Sequence, residues 1–312
     1  MKKNVQIILA AVLFLSVAFV SCKKATTNNP IDYVSELATH SDDQSRFSTD
    51  MDEIANDANT VSENFAAFNG RIENVLGALC NATTVLDSTA TLRRITITYS
   101  GLNCTGTRNR AGKVELTMPL GSRWKDAGAV LSISIQNLSI TRVIDNKTII
   151  LNGTRTITNV TGGRLSDLAT LGTITHRIET TGAGMSITFD NGSQRTWNEA
   201  KQRVFTYNNG MVITTSGLHS DNGITNISEW GINRNNKAFV TSISQPRVIR
   251  QDCNFRLVSG QVTHQRLSAT VVVTFGLDAA GNPASCPGLG FYYYKAVWTS
   301  ANGTVRSVIR PY

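Results

Sequence analysis

The sequence is short of the features that mark most enzymes and most filamentous or disordered chains. It has 6 Pro in 312 residues, only 7% aromatic and 17% charged residues, and four His. Few prolines and no run of a single residue type exclude collagen-like, proline-rich and simple disordered chains. No CxxC pair, GxSxG, HExxH, Walker or GxGxxG motif stands in a suitable context, so no zinc ribbon, nucleophile elbow or phosphate loop is legible. No cofactor, metal or catalytic residue is expected from motifs alone. Thr and Asn abound instead, with 37 and 27 copies, about a fifth of the chain together.

Long apolar runs are also missing, except at the start. Met1-Lys2-Lys3-Asn4 is followed by an uncharged stretch from Val5 to Val20 and then Ser21-Cys22-Lys23-Lys24. About sixteen residues fall short of the roughly 20 that span a bilayer, and the order of basic start, apolar core and small residue is that of a signal peptide. A small residue followed at once by Cys is the further mark of a bacterial lipoprotein signal, although Phe19 stands where Leu is usual. Residues 1–21 are therefore expected to be removed and Cys22 to carry a diacylglycerol and a further acyl chain such as palmitate. Two or more acyl chains anchor stably where one does not. Lys23-Lys24 lacks the acidic residues of a surface-export signal, which favours an outer-membrane lipoprotein facing the periplasm.

Residues 22–40 are expected to form a polar tether. Phe47, Met51, Ile54, Ala58, Val61, Phe65 and Phe68 then repeat at spacings of 4 and 3, the stripe of an amphipathic helix over 41–70. Ser41 with Gln44 suits a capping box, and Asn69-Gly70 a left-handed stop. The polar side is acidic, with Arg46 its only base. Packing within its own domain is the first expectation for the stripe. A coiled-coil contact that makes an oligomer is the second, and a membrane-lying helix is disfavoured by the acidic face.

From about Thr83 the period becomes two, as in Arg94–Tyr99, Lys113–Met118 and Val130–Ile135. The alternation slips at Gln136-Asn137, which predicts a bulge. Asn-Gly pairs at 152, 191, 209, 222 and 302 predict hairpins between antiparallel neighbours. The expected fold over 71–312 is mainly β: an antiparallel meander forming a curled sheet, sandwich or open barrel, preceded by one N-terminal amphipathic helix.

Cys80, Cys104, Cys253 and Cys286 remain after Cys22. In an oxidising compartment they are expected as two disulfides, of three conceivable pairings. Both halves show a Cys, an alternating strand ending in an aromatic and Gly (Tyr99 to Gly101, Phe275-Gly276) and a second Cys. This duplication selects Cys80 with Cys104 and Cys253 with Cys286. A zinc site from the same four lacks the usual spacing.

Ile95–Cys104, Arg108–Val114, Asn152–Asn159, Ile243–Cys253 and Arg256–Gly260 together resemble a group of Bacteroidota envelope lipoproteins of unknown function, from about residue 80 to the C-terminus. Where that group carries an aspartate before the first aromatic-Gly pair and after the last Cys, this chain has Thr98 and Pro287. The resemblance implies a secreted, acylated β-protein and supplies no catalytic residue. Asp87-Ser88-Thr89 is similar to the short O-glycosylation signal of that phylum's envelope proteins.

Among residues with chemistry, His176 lies between Ile174 and Ile178 on an apolar strand face, and Glu179 of its HxxE points the other way. Asp190-Asn-Gly and Asp221-Asn-Gly read as hairpins rather than calcium loops. Glu115, Glu179, Glu199 and Glu229 are the carboxylates to test for a hydrolase acting on glycans or lipid esters. Edge and core places in a large sheet are the first expectation for the aromatics; Trp124, Trp197 and Trp230, in polar surroundings, and Tyr292 and Tyr294, in a run with rings on both strand faces, are the candidate ligand-binding aromatics, since flat rings with hydrogen-bonding neighbours suit glycan or lipid ligands. A non-catalytic structural or ligand-binding lipoprotein is preferred to the hydrolase.

Net charge is the last reading. The whole chain is +8. Residues 22–70 hold 3 bases and 9 acids, and residues 71–312 hold 25 and 13. A basic β-domain thus follows an acidic helix. Secretion removes nucleic acid from the expected partners and leaves anionic lipid, acidic glycan or the helix itself.

Overall fold

A computed structural model of the chain describes residues 30–65, 68, 79–266, 269–286, 290–300 and 303–312. The expected signal sequence, Cys22, the 22–29 part of the expected tether, Asn69-Gly70 and Asn302 lie outside them. The chain divides into two compact units, Met1–Asp43 and Gln44–Tyr312. In the first, the described residues are the opening turns of a helix. The second holds the rest of that helix and a single large sheet.

Helix α1 spans Pro30–Asn64. It therefore begins well before Ser41, which is interior rather than a cap, and the expected tether is helical from Pro30. Proline suits a first turn because its missing N–H has no helical partner there.

Fifteen strands follow: β1 Ala82–Ser88, β2 Leu92–Leu102, β3 Arg108–Pro119, β4 Ala129–Arg142, β5 Lys147–Asn159, β6 Thr173–Phe189, β7 Gln194–Tyr207, β8 Met211–Gly217, β9 His219–Asp221, β10 Ile224–Ile232, β11 Ala238–Arg250, β12 Arg256–Arg266, β13 Ala269–Leu277, β14 Tyr293–Ser300 and β15 Val305–Pro311. A four-residue helix, α2 Leu168–Leu171, sits between β5 and β6. Each strand pairs antiparallel with its sequence neighbour, apart from one detour. β7 pairs β8 through Lys201–Tyr207 and β10 through Thr196–Glu199, and β11 likewise meets both. β8 and β10 thus act as one strand interrupted by the β9 hairpin, and the sheet is a meander with β1 and β15 at its ends. All the described strands belong to this one sheet, where a sandwich would have two, and among the described residues no pairing joins its ends.

The curl follows from what α1 touches. Asp50 bonds Arg108 at the start of β3, and Asp52, two residues on, meets Arg247 of β11. Six ladder steps separate those strands, about 29 Å if flat at about 4.8 Å per step. Only a sheet wrapped around the helix brings both to one helical turn.

A line of irregular backbone permits that wrapping. β4 slips register between Ile135 and Leu138, where Asn137 has φ 48, so the bulge expected there is present. Opposite it, Gly112 of β3 has φ +136, and a Cβ there would lie 2.6 Å from Asn137 O. On β5, Gly153 has φ +137, and its Cβ would lie 2.7 Å from Gly184 O. Asn152-Gly153 is therefore a bulge inside a strand, not the hairpin expected from its sequence. Such bulges bend a sheet and increase its twist. Asn222-Gly223 does form the two-residue hairpin, with φ 47 and 80 between paired Asp221 and Ile224.

The core lies between helix and sheet. Phe47, Met51, Ile54, Ala58, Val61 and Phe68 are buried and Phe65 partly so, packed with Ile95, Val114, Ile133, Leu151 and Ile178. The stripe is consumed inside the domain, which leaves none of it for the coiled coil considered from sequence. Cys80 is paired with Cys104 and Cys253 with Cys286, each pair with Cα atoms 5.2 Å apart. One pair embraces the β1–β2 hairpin and the other β12–β13, so the duplicated element is a Cys-closed hairpin at either side of the sheet.

Candidate functional site

The inward positions of β7 are Arg195, Trp197, Glu199, Lys201, Arg203 and Phe205, and all six are buried. Four charges on the core side of one strand reverse the usual pattern, and buried charges must find partners. Their partners come from neighbouring strands and from α1. Arg155 of β5 donates to Glu199 Oε1 at 2.9 Å and to the Met51 carbonyl at 2.8 Å. Glu199 Oε2 lies 3.2 Å from Lys201 Nζ, which also pairs with Glu229 of β10. Ser48 of α1 donates to Glu229 at 3.3 Å and accepts from Arg247 at 2.8 Å. Arg203 pairs with Asp52, whose other oxygen is 3.7 Å from Arg247. The result is one continuous network that leaves the helix, crosses β5, β7, β10 and β11, and returns to the helix.

Two smaller clusters flank it. Asp57 accepts from Tyr99 Oη at 2.9 Å and from Arg110 at 2.7 Å, while Arg110 also donates to Asn81 at 2.7 Å and lies 4.3 Å over the Tyr99 ring. Near the other end of the helix, Asp50 accepts from Arg108 at 2.9 Å, and Arg46 donates to the carbonyls of Ile140 and Lys147 at 2.8 and 2.7 Å. Arg195 donates to Gln44 at 2.6 Å and lies 3.8 Å over Trp197, which also meets the rings of Phe47 at 3.6 Å and Phe239 at 5.3 Å.

The electrostatics follow from burial set against this pairing. Burial pushes the carboxyl of Asp52 up, but Arg203, Arg247 and Lys201 outweigh it and hold the group below the usual carboxylate range. The same balance, with Lys201 and Arg155 as the cations, leaves Glu199 lowered. Burial would lower Lys201, yet Glu229 and Glu199 raise it overall. At Asp50 burial prevails over Arg108 and Arg46, and its carboxyl is raised. A general acid needs a raised carboxyl near the working pH. Glu199 is tuned the other way and is engaged on both oxygens, so the arrangement is suited to holding charge rather than to moving protons.

The sequence-derived site residues are divided by this geometry. Glu199 and Glu229 come together about Lys201, whereas Glu115 and Glu179 are half-exposed and outside the network. His176 is a core residue, 5.2 Å from the Trp124 ring and 4.9 Å from Phe205. Burial and Arg203 lower its pKa to about 3. Three of the five candidate aromatics are corrected: Trp124, Trp197 and Tyr292 are fully buried and present no ring to a ligand. They pack because each occupies an inward position or a loop that closes the core. Trp230, half-exposed, stacks on His219 at 4.2 Å, and Tyr294, also half-exposed, sits 6.3 Å from Phe275. Sequence reading passed over Arg110, Arg155, Arg195, Lys201, Arg203 and Arg247. A signal existed on β7, where the charged residues share parity with Trp197 and Phe205.

Asp252, Cys253 and Cys286 place three potential ligand atoms within 4.8 Å, but both sulfurs are engaged with each other. No helix of the described residues is long and apolar enough to cross a membrane. Comparison of the chain with protein-family models, with curated proteins and with solved structures finds no match.

Proposed function

We propose that this protein is a non-catalytic lipoprotein of the bacterial envelope, acylated at Cys22, held on the periplasmic face of the outer membrane and serving a structural or ligand-binding role. The Met1–Cys22 pattern supports the anchor. The observation that carries the non-catalytic reading is the occupancy of the sheet's inner face: α1 fills it, and the best-placed carboxylates, Glu199 and Glu229, are tied to Arg155, Lys201 and Ser48. The paired cysteines agree with an oxidising compartment. The ligand class that suits the basic face is a glycan or lipid bearing negative charge.

Metabolic labelling with palmitate, together with Cys22→Ala, tests the anchor. Label on the wild type and its loss, with release into the soluble fraction, are expected for the variant; an unlabelled, membrane-bound wild type contradicts the reading. Turnover of envelope glycans or lipid esters that disappears in Glu199→Gln would replace it by a hydrolase.

A further inference from the structure

The inner face of the sheet is charged beyond what a permanent core needs. Exchanging a buried ion pair for apolar side chains of similar volume is often neutral or stabilising, so ionic cores earn no stability by being ionic. Here Arg110, Arg155, Arg195, Lys201, Arg203 and Arg247 face inward, and among the described residues the buried acids that the sheet itself sets against them are Glu199 and Glu229. The balance is restored by α1, whose Asp50, Asp52, Glu53 and Asp57 reach Arg108, Arg203, Arg247 and Arg110. Even so, the Nε donors of Arg110, Arg155, Arg203 and Arg247 are buried and meet no acceptor among the described residues. The face therefore has more donor capacity than the helix uses.

The helix also has the two-sided chemistry of an amphiphile. Its apolar strip from Phe47 to Val61 is about 21 Å long at about 1.5 Å per residue. That strip packs with aliphatic side chains of β2–β6, while the helix carboxylates meet Arg108 and Arg110 of β3, Arg203 of β7 and Arg247 of β11. We propose that the inner face is a binding site for an anionic amphiphile, an acyl chain with a multiply negative headgroup, and that residues 44–64 occupy it as a built-in stand-in that such a ligand displaces. The headgroup takes the places of the Asp52 and Met51 oxygens on Arg203, Arg247 and Arg155, and the acyl chain takes the strip vacated by Met51, Ile54 and Ala58. This rests on the non-catalytic reading above and adds the class of ligand to it.

The test uses the full chain and three probes below their micellar concentrations: dodecyl phosphate, the neutral dodecyl maltoside and inorganic phosphate. Hydrogen exchange of residues 44–64 is followed with native mass. Dodecyl phosphate is expected to raise exchange of 44–64 at least tenfold while β3–β7 stay protected, with one probe bound per chain and no effect from the other two. Asp52→Asn with Asp57→Asn, checked for intact strand protection, should lower the dodecyl phosphate concentration needed. Arg155→Gln with Arg203→Gln should abolish the response. Unchanged exchange with every probe, in both the wild type and the asparagine variant, overturns the inference. So does an equal response to dodecyl maltoside, or a doubled mass in which the helices have exchanged between copies. Consumption of the probe would instead defeat the non-catalytic reading, so the two failures are distinguishable.

Discussion

The wall of the sheet formed by β2–β6 and the wall formed by β7, β10 and β11 enclose the same helix by different means. The first presents mainly aliphatic side chains, Ile95, Ile97, Leu116, Ile133 and Ile178, with Arg110 and Arg155 as its buried charges, and gains chiefly from removing apolar surface from water. The second presents Glu199, Lys201, Arg203, Glu229 and Arg247, and has to offset the loss of hydration with ion pairs. The aliphatic wall is tolerant of small changes in shape, whereas the charged wall depends on every partner being present. The charged wall specifies which surface the helix must offer.

That contrast can be broken from either side. Lys201→Met strands Glu229 beside Glu199 in the interior, and a loss of about 4 kcal/mol in chemical denaturation is expected. Ile133→Ala on the aliphatic wall should cost about 3 kcal/mol, set by the cavity rather than by charge. If Lys201→Met proves milder than Ile133→Ala, the charged wall is more hydrated than its burial implies. His176 supplies a pH dependence. Its pKa falls from 6.5 to about 3 on folding, because burial and Arg203 disfavour the imidazolium. Below pH 6.5 the unfolded chain takes a proton that the fold refuses, so stability declines as the pH falls. The histidine's share is about 2 kcal/mol at pH 5 and near zero at pH 7. His176→Phe should recover that share at pH 5 and leave pH 7 little changed. Salt has the smallest effect: raising it to 1 M should change protease protection of residues 44–64 by less than about 0.5 kcal/mol, because buried pairs are weakly screened. A large loosening would place these pairs in contact with solvent.

The outline of this architecture is legible in the sequence. Period-two alternation gave the strands, the slip at Gln136-Asn137 marked the bulge, and the repeated Cys-strand-Gly-Cys order paired the cysteines as found. The stripe from Phe47 to Phe68 named the helix face that is buried. Its start was misplaced because Pro30 and the polar residues after it carry no apolar period. Asn152-Gly153 was misread because the dipeptide favours positive φ, which serves a bulge as well as a hairpin. Trp124 and Trp197 are ligand candidates because their sequence neighbours are polar, and Tyr292 because its aromatic run puts rings on both faces of a strand; strand neighbours point to opposite faces, so a polar neighbour does not make a ring open. The charged wall escaped for a related reason: a lone Arg or Glu in a strand is ordinarily outward, and only the acidic helix, distant in sequence, makes an inward place tenable.

The most direct test of that last point is a double-mutant cycle on Asp52 and Arg203, measured by chemical denaturation. Asp52→Asn and Arg203→Gln should each destabilise, and the double variant should fall short of their sum by about 2 kcal/mol, the coupling of a buried pair. Additivity within about 0.3 kcal/mol would contradict a direct coupling of the helix to the charged wall through this pair.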